Sequence, residues 1–226
     1  KAFFLVILIC LACNGSSSLG IISSKSQVSS LKNAIDEVSP EQRDAMEWLI
    51  THMPEADLKN LSIEYLTQNS EYAFKAKNKF SWAKTLPDEI FLNYVLPYSS
   101  LNERRDKWRQ DFFYKFSPIV KNANSAYEAA AILNNEIFEI LGVEYSTKRP
   151  KADQSPYESI DAGLASCTGL SFLLIDACRS VGIPARFVGT PMWYNDSGNH
   201  SWVEIWDGKW HFTGAAEPVE GELNQV

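Results

Sequence analysis

The segment Ser166–Val181 constrains the fold most, because it is apolar almost throughout and long enough for a helix of the protein interior. Small residues surround Cys167 at its beginning. Gly182 follows its end and Pro184 comes two positions later, a combination that stops helices. The pattern therefore predicts a helix that begins at or beside a cysteine.

Three short stretches after this helix are typical of strands. They are Ala185–Thr190, His200–Trp206 and Lys209–Thr213. Asp207-Gly208 is a strong signal for a two-residue hairpin turn, and such a turn would pair Trp206 with Lys209. We therefore predict an α+β fold in which the cysteine helix packs on an antiparallel sheet.

The stretch from Ser24 to Gly142 carries helix signals, with serine or proline at helix starts and Gly142 as a C-terminal stop. The predicted helices begin at Ser39-Pro40, Ser62, Leu86-Pro87, Ser100 (covering Leu101 to Lys115) and Ser117-Pro118. The polar stretch Lys148 to Gly163 is predicted to be an extended loop.

The charge balance argues against several classes of partner. The net charge is −7 and there is no basic block, so neither nucleic acid nor an anionic bilayer surface is an expected partner. The sequence has no phosphate-binding glycine loop and no dinucleotide fingerprint, and we expect no cofactor. It also lacks a C-x-x-C pair in the folded part and a calcium loop, so no metal site is predicted.

The N-terminus resembles the end of a secretory signal. Ala2 to Ala12 is an apolar run behind Lys1, too short to span a bilayer, and we expect the start of the signal to precede it. Cys13 is a candidate for lipidation; the alternatives are cleavage near Gly15 or a buried N-terminal helix. Residues 1–20 are therefore predicted to be signal and tether, and the protein to be extracytoplasmic, periplasmic or on the cell surface.

Two cysteines remain in the predicted folded part, Cys167 and Cys178. They stand eleven positions apart on one helix, about 16 Å along its axis, so they cannot form a disulfide with each other. Cys178 lies in an apolar stretch and is interpreted as a core residue. Cys167 falls where free backbone N–H groups and the helix dipole favour a thiolate, which predicts a reactive cysteine.

His200 begins a predicted strand and follows a flexible loop. A histidine can take the proton of a thiol as a general base and return it to a leaving group as an acid. The alternative is a surface histidine bonded in a turn. His52 and His211 are both interpreted as structural.

These motifs resemble the transglutaminase-like superfamily, a papain-related group of cysteine enzymes. The resemblance rests on the helix around Cys167, on the segment Cys178–Arg186, and on His200-Ser201-Trp202-Val203-Glu204. It covers about residues 120–220 and implies a papain-like, transglutaminase-core fold. The helical region 21–116 would precede a catalytic domain at 117–226.

The resemblance implies a Cys–His–acid triad in which Cys167 is the nucleophile and His200 the base. The family places an Asp four residues after the tryptophan of the next strand, but that position is Gly214 here. With the two-residue turn, Glu217 would share a face with His200 one diagonal step away, so we predict that it orients the imidazole. Glu204 and Asp207 are weaker alternatives.

Three further residues are candidates for substrate contacts. Gln154, upstream of the thiol, could donate its amide to an oxyanion, as an upstream glutamine does in papain-like enzymes; the alternative is a polar loop residue. Trp193 and Tyr194 precede His200 and could line a substrate groove, or cover the edge of the core.

Two functions remain open at this point. The first is an exported thiol enzyme that cleaves or transfers an acyl or amide group of a peptide or protein through a Cys167 thioester, either as a peptidase or amidase or by transamidation. The second is a non-catalytic binding or scaffold module that retains the fold. The glycine at position 214 favours the second, whereas Cys167 and His200 favour the first.

Overall fold

A computed structural model describes residue 31 and residues 33–196, 198–217 and 222–224 of the chain. The predicted signal segment and Cys13 lie outside these residues. No helix of the described ranges has both the length and the apolar character needed to cross a membrane.

Helices dominate the described chain before residue 142. After a 3₁₀ turn at Pro40–Gln42 these include α1 (Arg43–His52), α2 (Glu55–Asn60), α3 (Ile63–Lys79), α4 (Ser81–Lys84), α5 (Asp88–Tyr94), α6 (Trp108–Phe116) and α7 (Ala126–Leu141). The predicted cap at Ser62 is confirmed, because its hydroxyl accepts a hydrogen bond from the N–H of Tyr65 at 3.1 Å. The stop at Gly142 is confirmed by its left-handed φ of 66°.

Short strands and two more helices complete the chain. They are β1 (Glu144–Tyr145), α8 (Pro156–Ala162), β2 (Leu164–Ala165), α9 (Cys167–Ser180), β3 (Ala185–Thr190), β4 (His200–Trp206) and β5 (Trp210–Thr213). β1 and β2 form a parallel pair, and β3, β4 and β5 form an antiparallel sheet in that order. Phe172 of α9 contacts Phe187 of β3 at a ring distance of 5.5 Å. The α+β prediction, with the cysteine helix on an antiparallel sheet, is thus confirmed.

The predicted helix from Leu101 to Lys115 begins too early. Helical structure starts only at Trp108, at the beginning of α6. The Glu103 carboxylate instead accepts hydrogen bonds from the N–H groups of Ser100 and Leu101, at 2.6 and 2.8 Å. These bonds hold a tight non-helical turn, because they satisfy backbone donors at the point where a helix would have begun.

Two other boundaries differ from the sequence prediction. α7 begins at Ala126 and not at Ser117-Pro118, because Ser125 caps it by accepting from the N–H of Glu128 at 3.1 Å. Within the predicted loop Lys148–Gly163 lies helix α8, which Ser155 and Glu158 open with a reciprocal capping box. The predicted cap at Ser39 does not form, because its side chain makes no capping hydrogen bond to the 3₁₀ turn that follows.

The hairpin between β4 and β5 is one residue longer than predicted. Trp206 pairs with Trp210 and not with Lys209. The N–H of Asp207 bonds to the carbonyl of Lys209 at 3.0 Å, and Gly208 has a φ of 76°. A change of one residue in register exchanges the two faces of a strand, so the geometric argument that placed Glu217 beside His200 is wrong.

The main core crosses the predicted boundary at residue 116. It combines buried side chains of α6 with those of α7, α9 and the three-stranded sheet. The indole N–H of Trp82 donates to the carbonyl of Val181 at 3.0 Å. Gly182, with a φ of 76°, lies so close to Ala83 that a Cβ on it would be 2.7 Å from the alanine methyl. The end of α9 therefore packs directly against the helical region. The division of the chain into two domains stays a prediction.

Two buried arginines bind backbone carbonyls between the same regions. Arg109 of α6 donates to Val95, Leu96, Pro97 and Arg179 at 2.8 to 3.2 Å. Arg179 of α9 donates to Tyr94, Pro97, Ser99 and Ala185 at 2.9 to 3.4 Å. Together they bind five carbonyls between Tyr94, the last residue of α5, and Ser99, and they connect this part of the chain to the first residue of β3.

Replacing Arg109 by Met should lower the free energy of unfolding by more than about 3 kcal/mol, because each buried acceptor left unpaired costs about 1–3 kcal/mol. The matched control is Lys107→Met, which removes an exposed ion pair with Glu64 and should cost less than about 1 kcal/mol. Urea unfolding of both variants measures the difference. Equal losses would contradict the role assigned to Arg109.

Candidate active site

Cys167 is the first residue of helix α9 and lies at its N-terminal tip. Ser166 caps the helix: its hydroxyl accepts from the N–H of Gly169 at 3.1 Å and donates to the carbonyl of Ala152. The Cys167 thiol is free and half-buried. The predicted position of this cysteine at a helix start is thus confirmed, and the N–H of Cys167 precedes the first intrahelical hydrogen bond.

Strand β4 meets this helix tip through a pair of hydroxyl groups. Ser201 is buried, and its Oγ lies 3.4 Å from Oγ1 of Thr168. Val203 and Ile205, on the same face of β4 as Ser201, are completely buried in the core. This face of the sheet therefore packs towards α9, and His200 and Cys167 each stand one residue from the hydroxyl contact.

The His200 side chain lies on the opposite face of β4 from Ser201. Its ring packs on Trp193 and Trp202, with centroid distances of 4.5 and 6.4 Å. Within the described part of the chain, neither the Cys167 thiol nor the His200 imidazole makes a hydrogen bond. The physical reason is the two-residue period of a strand, which turns His200 away when Ser201 faces the helix.

The predicted third group, Glu217, takes an unexpected position beside Gly214. β5 ends at Thr213, and Ala216 has a left-handed φ of 62°, so the ladder does not extend to Glu217. The chain turns back there, and the N–H of Glu217 bonds to the carbonyl of Gly214 at 3.3 Å. A Cβ on Gly214 would clash with Oε2 of Glu217. The Glu217 carboxylate thus fills the space in which a side chain at position 214 would begin.

Gln154 is not free to serve as an oxyanion donor in this structure. It is 1% exposed, and its amide nitrogen donates to the carbonyls of Glu158 and Leu164 at 3.1 and 3.0 Å. Both amide hydrogens are therefore engaged, and the prediction is corrected. The amide instead connects the loop before α8 to β2, just ahead of the Cys167 helix.

The other acidic candidates are engaged elsewhere. Glu204 accepts a 2.7 Å hydrogen bond from Nε of Arg186 on the neighbouring strand. Asp207 accepts from the N–H of Tyr127 in the first turn of α7, at 3.1 Å. Both carboxylates therefore have structural partners.

Trp193 packs on His200, and Tyr194 contacts Trp193 in the loop before β4. Their rings are 5.5 Å apart, and Tyr194 is 86% exposed. Trp193 also contacts Trp202 at 5.9 Å. These rings form a wall next to the imidazole, which is compatible with the predicted groove.

The remaining histidines and the second cysteine have structural surroundings. His52 stacks on Trp48 at 4.4 Å, far along the chain from the helix tip. His211 packs on Tyr127 at 4.9 Å, on the core side of β5. Cys178 is fully buried, and burial raises the pKa of its thiol. In the ranges that the structure describes, no group of three or more His, Cys, Asp or Glu side chains could hold a metal ion.

Sequence reasoning missed the contact between Thr168 and Ser201. The alternation along His200-Ser201-Trp202-Val203 contained the signal, since Ser201 shares its face with the apolar Val203. Attention to the strand period would have placed Ser201, and not His200, towards the helix.

The model of the transglutaminase-like superfamily matches residues 116–213, from the last residue of α6 to the last residue of β5. The match confirms the resemblance predicted from the motifs for this part of the chain. It ends one residue before Gly214, where the sequence departs from the family pattern.

No curated protein matches the chain. Among solved structures, the chain is similar to a candidate cysteine protease from Cytophaga hutchinsonii, with 18% identity and a TM-score of 0.48. The similarity covers 64% of this chain and 48% of that chain, so this chain spans less than half of that protein's length.

Iodoacetamide should label Cys167 and leave Cys178 unmodified in the folded protein. Cys167 is half-buried at a helix tip, whereas Cys178 is inaccessible and its raised pKa disfavours the thiolate. Mass spectrometry of labelled peptides distinguishes the two positions, and labelling in urea supplies the control in which both react. Equal modification of both cysteines without denaturant would contradict the assigned environments.

Proposed function

We propose that the protein is a thiol enzyme that forms a thioester at Cys167 and cleaves or transfers an acyl or amide group of a peptide. The observation that carries the proposal is a free, half-buried thiol at the first position of α9, next to the Thr168–Ser201 contact that brings in the strand of His200. The transglutaminase-like match over the same elements supports a cysteine-enzyme fold.

The chemistry assigns one step to each group. His200 takes the thiol proton, the Cys167 sulfur bonds to the carbonyl carbon, and the C–N bond breaks as the departing nitrogen receives that proton. Water or a second amine then attacks the thioester, gives a proton to His200, and the C–S bond breaks. The N–H of Cys167 is the proposed donor to the oxyanion.

This mechanism requires one movement. The imidazole packs on Trp193 and must turn towards Cys167 before it can accept the proton. His200 is the first residue of β4, one position before Ser201, whose hydroxyl contacts Thr168 at the start of α9. Catalytic hydrogen bonds of enzymes often form only in the substrate complex.

Glu217 is proposed as the group that orients the imidazole, on a different geometric basis from the hairpin register. The family's acid would extend from position 214, and the Glu217 carboxylate occupies the start of that path. A carboxylate next to a general base selects the ring tautomer and stabilises the imidazolium. Glu217 would then supply the negative charge that the family's acid would provide at position 214. It stands three residues after Gly214, which has no side chain.

Substrate and location are further proposals. A peptide or protein is the proposed substrate, and hydrolysis is preferred over transamidation because no amine site is identified. Export rests on the apolar run behind Lys1, and membrane anchoring would rest on lipidation of Cys13.

A non-catalytic binding module is the second candidate function. The observation that favours it is the orientation of His200, which faces Trp193 and Trp202 and makes no hydrogen bond within the described residues. In that case the rings around His200 would bind a partner without any reaction.

Replacing His200 by Ala should slow alkylation of Cys167 by iodoacetamide at least about 10-fold near neutral pH, because general-base assistance is worth about 10²–10⁴-fold. The matched control is His52→Ala, which removes another histidine that packs on a tryptophan. The rate of Cys167 labelling, followed by mass spectrometry as a function of pH, is the measurement. Identical rates in all three proteins would favour the binding module.

Glu217→Gln should reduce the same alkylation rate about 10-fold if this carboxylate orients His200. Gly214→Asp introduced into a Glu217→Ala background should restore it, because the new carboxylate would extend from the space that Glu217 vacates. Glu222→Gln changes another exposed acid in the same C-terminal part and serves as the control. Unchanged rates in Glu217→Gln would remove Glu217 from the mechanism.

A further inference from the structure

Four of the seven tryptophans of the chain lie on or beside one face of the three-stranded sheet. Trp202 and Trp206 alternate along β4 with the buried residues of the core face, and Trp210 pairs with Trp206. Trp193 joins them from the loop before β4 through its contact with Trp202. All four indoles are half-buried, so each keeps part of its surface accessible.

The rings form two groups along this face. The first consists of Trp193, Tyr194, His200 and Trp202, and we name it the aromatic strip. The second consists of Trp206 and Trp210, 5.4 Å apart, with Tyr94 of α5 packed edge-on against Trp210 at 4.7 Å. The second group is thus partly covered by the helical region, whereas Tyr194 leaves the strip open to solvent.

An ion pair separates the two groups. Arg186 and Glu204 face each other across β3 and β4, and the guanidinium lies 3.9 Å from the ring centre of Trp210. Because these two charges neutralise each other, the pair leaves neither charge free for a ligand on this face. The aromatic strip therefore offers a ligand accessible aromatic surface next to the His200 imidazole.

We infer that the aromatic strip binds an uncharged aromatic or large apolar side chain of a peptide substrate. The inference rests on the proposed function, because a substrate that reacts through His200 must come within hydrogen-bonding distance of that ring. In the resting structure the imidazole packs on Trp193 and Trp202, and once it has turned towards Cys167 the ring surface that it leaves can hold the side chain next to the reacting bond. Tryptophan and tyrosine side chains dominate peptide recognition because they bury large area with little loss of freedom.

Charged side chains fit this position less well. A lysine side chain would be attracted to the indole faces but would lose the hydration of its ammonium group there, and during the reaction it would also meet the positive charge of a protonated His200. An anion would meet the negative faces of the indole rings. The strip therefore discriminates by the charge of the substrate as well as by its size.

The test measures binding without turnover. Peptides of the form acetyl-Ala-Xaa-Ala-amide, with Phe, Leu, Lys or Glu at Xaa, are titrated calorimetrically into the Cys167→Ser protein. The Phe peptide should bind at least about 10-fold more tightly than the Lys and Glu peptides, with Leu between them, since 1.4 kcal/mol of discrimination corresponds to a factor of ten.

Trp202→Ala should abolish this preference, and Trp202→Phe, which keeps a ring, should retain it. Trp48→Ala is the matched control, because Trp48 also stacks on a histidine but lies on α1. Equal affinity for all four peptides, or equal effects of Trp202→Ala and Trp48→Ala, would overturn the inference. Thermal unfolding of each variant shows that it is folded.

The two proposals fail in different ways. If the Phe peptide binds selectively but His200→Ala leaves Cys167 alkylation unchanged, the strip is a peptide-binding surface and the enzymatic function is wrong. If alkylation depends on His200 but no peptide is preferred, the enzymatic function stands and the substrate class is wrong.

Discussion

The structure depends on the burial of two arginine side chains between the helical region and helix α9. Arg109 and Arg179 donate hydrogen bonds to the carbonyls of Tyr94, Val95, Leu96, Pro97 and Ser99, at the end of α5 and in the irregular segment that follows it. Arg179 also binds the carbonyl of Ala185, the first residue of β3. The same side chains thus close the core and fix where the sheet begins relative to α9. The position of His200 follows from that arrangement, since the pairing that begins with Ala185 and Ile205 ends with Thr190 and His200.

One geometric rule, the two-residue period of β4, accounts for both faces of the candidate site. It directs Ser201 to the helix tip and Val203 to the core, and it directs His200 and Trp202 outwards. The Ser201 face of β4 contacts the start of the helix that carries the Cys167 thiol, while the opposite face carries the His200 imidazole and the tryptophan rings. The proposed enzyme requires the imidazole to turn towards the thiol, whereas a binding module does not.

The sequence predicted the ends of helices correctly where the signal lay within a few residues of the helix end. Ser62, Gly142 and the beginning of α9 are examples, because caps and stops act on the neighbouring backbone. It failed at Ser100 and Ser117, which resemble caps but do not open helices. At Ser100 the Glu103 carboxylate captures the nearby backbone donors. After Ser117 the helix begins only at a later serine, Ser125, whose hydroxyl caps it, and several serines in one stretch leave the choice open.

The sequence by itself determined that Cys167 opens an apolar helix and that His200 opens a strand, because helix and strand periods are local properties. Only the tertiary structure decided which way these side chains point and what surrounds them. The Gln154 amide is engaged by carbonyls of α8 and β2, and the Glu217 carboxylate is folded over Gly214. One extra residue in a turn was enough to exchange the faces of a predicted pairing. Such contacts depend on how distant elements pack and on single-residue register, and no local pattern encodes either.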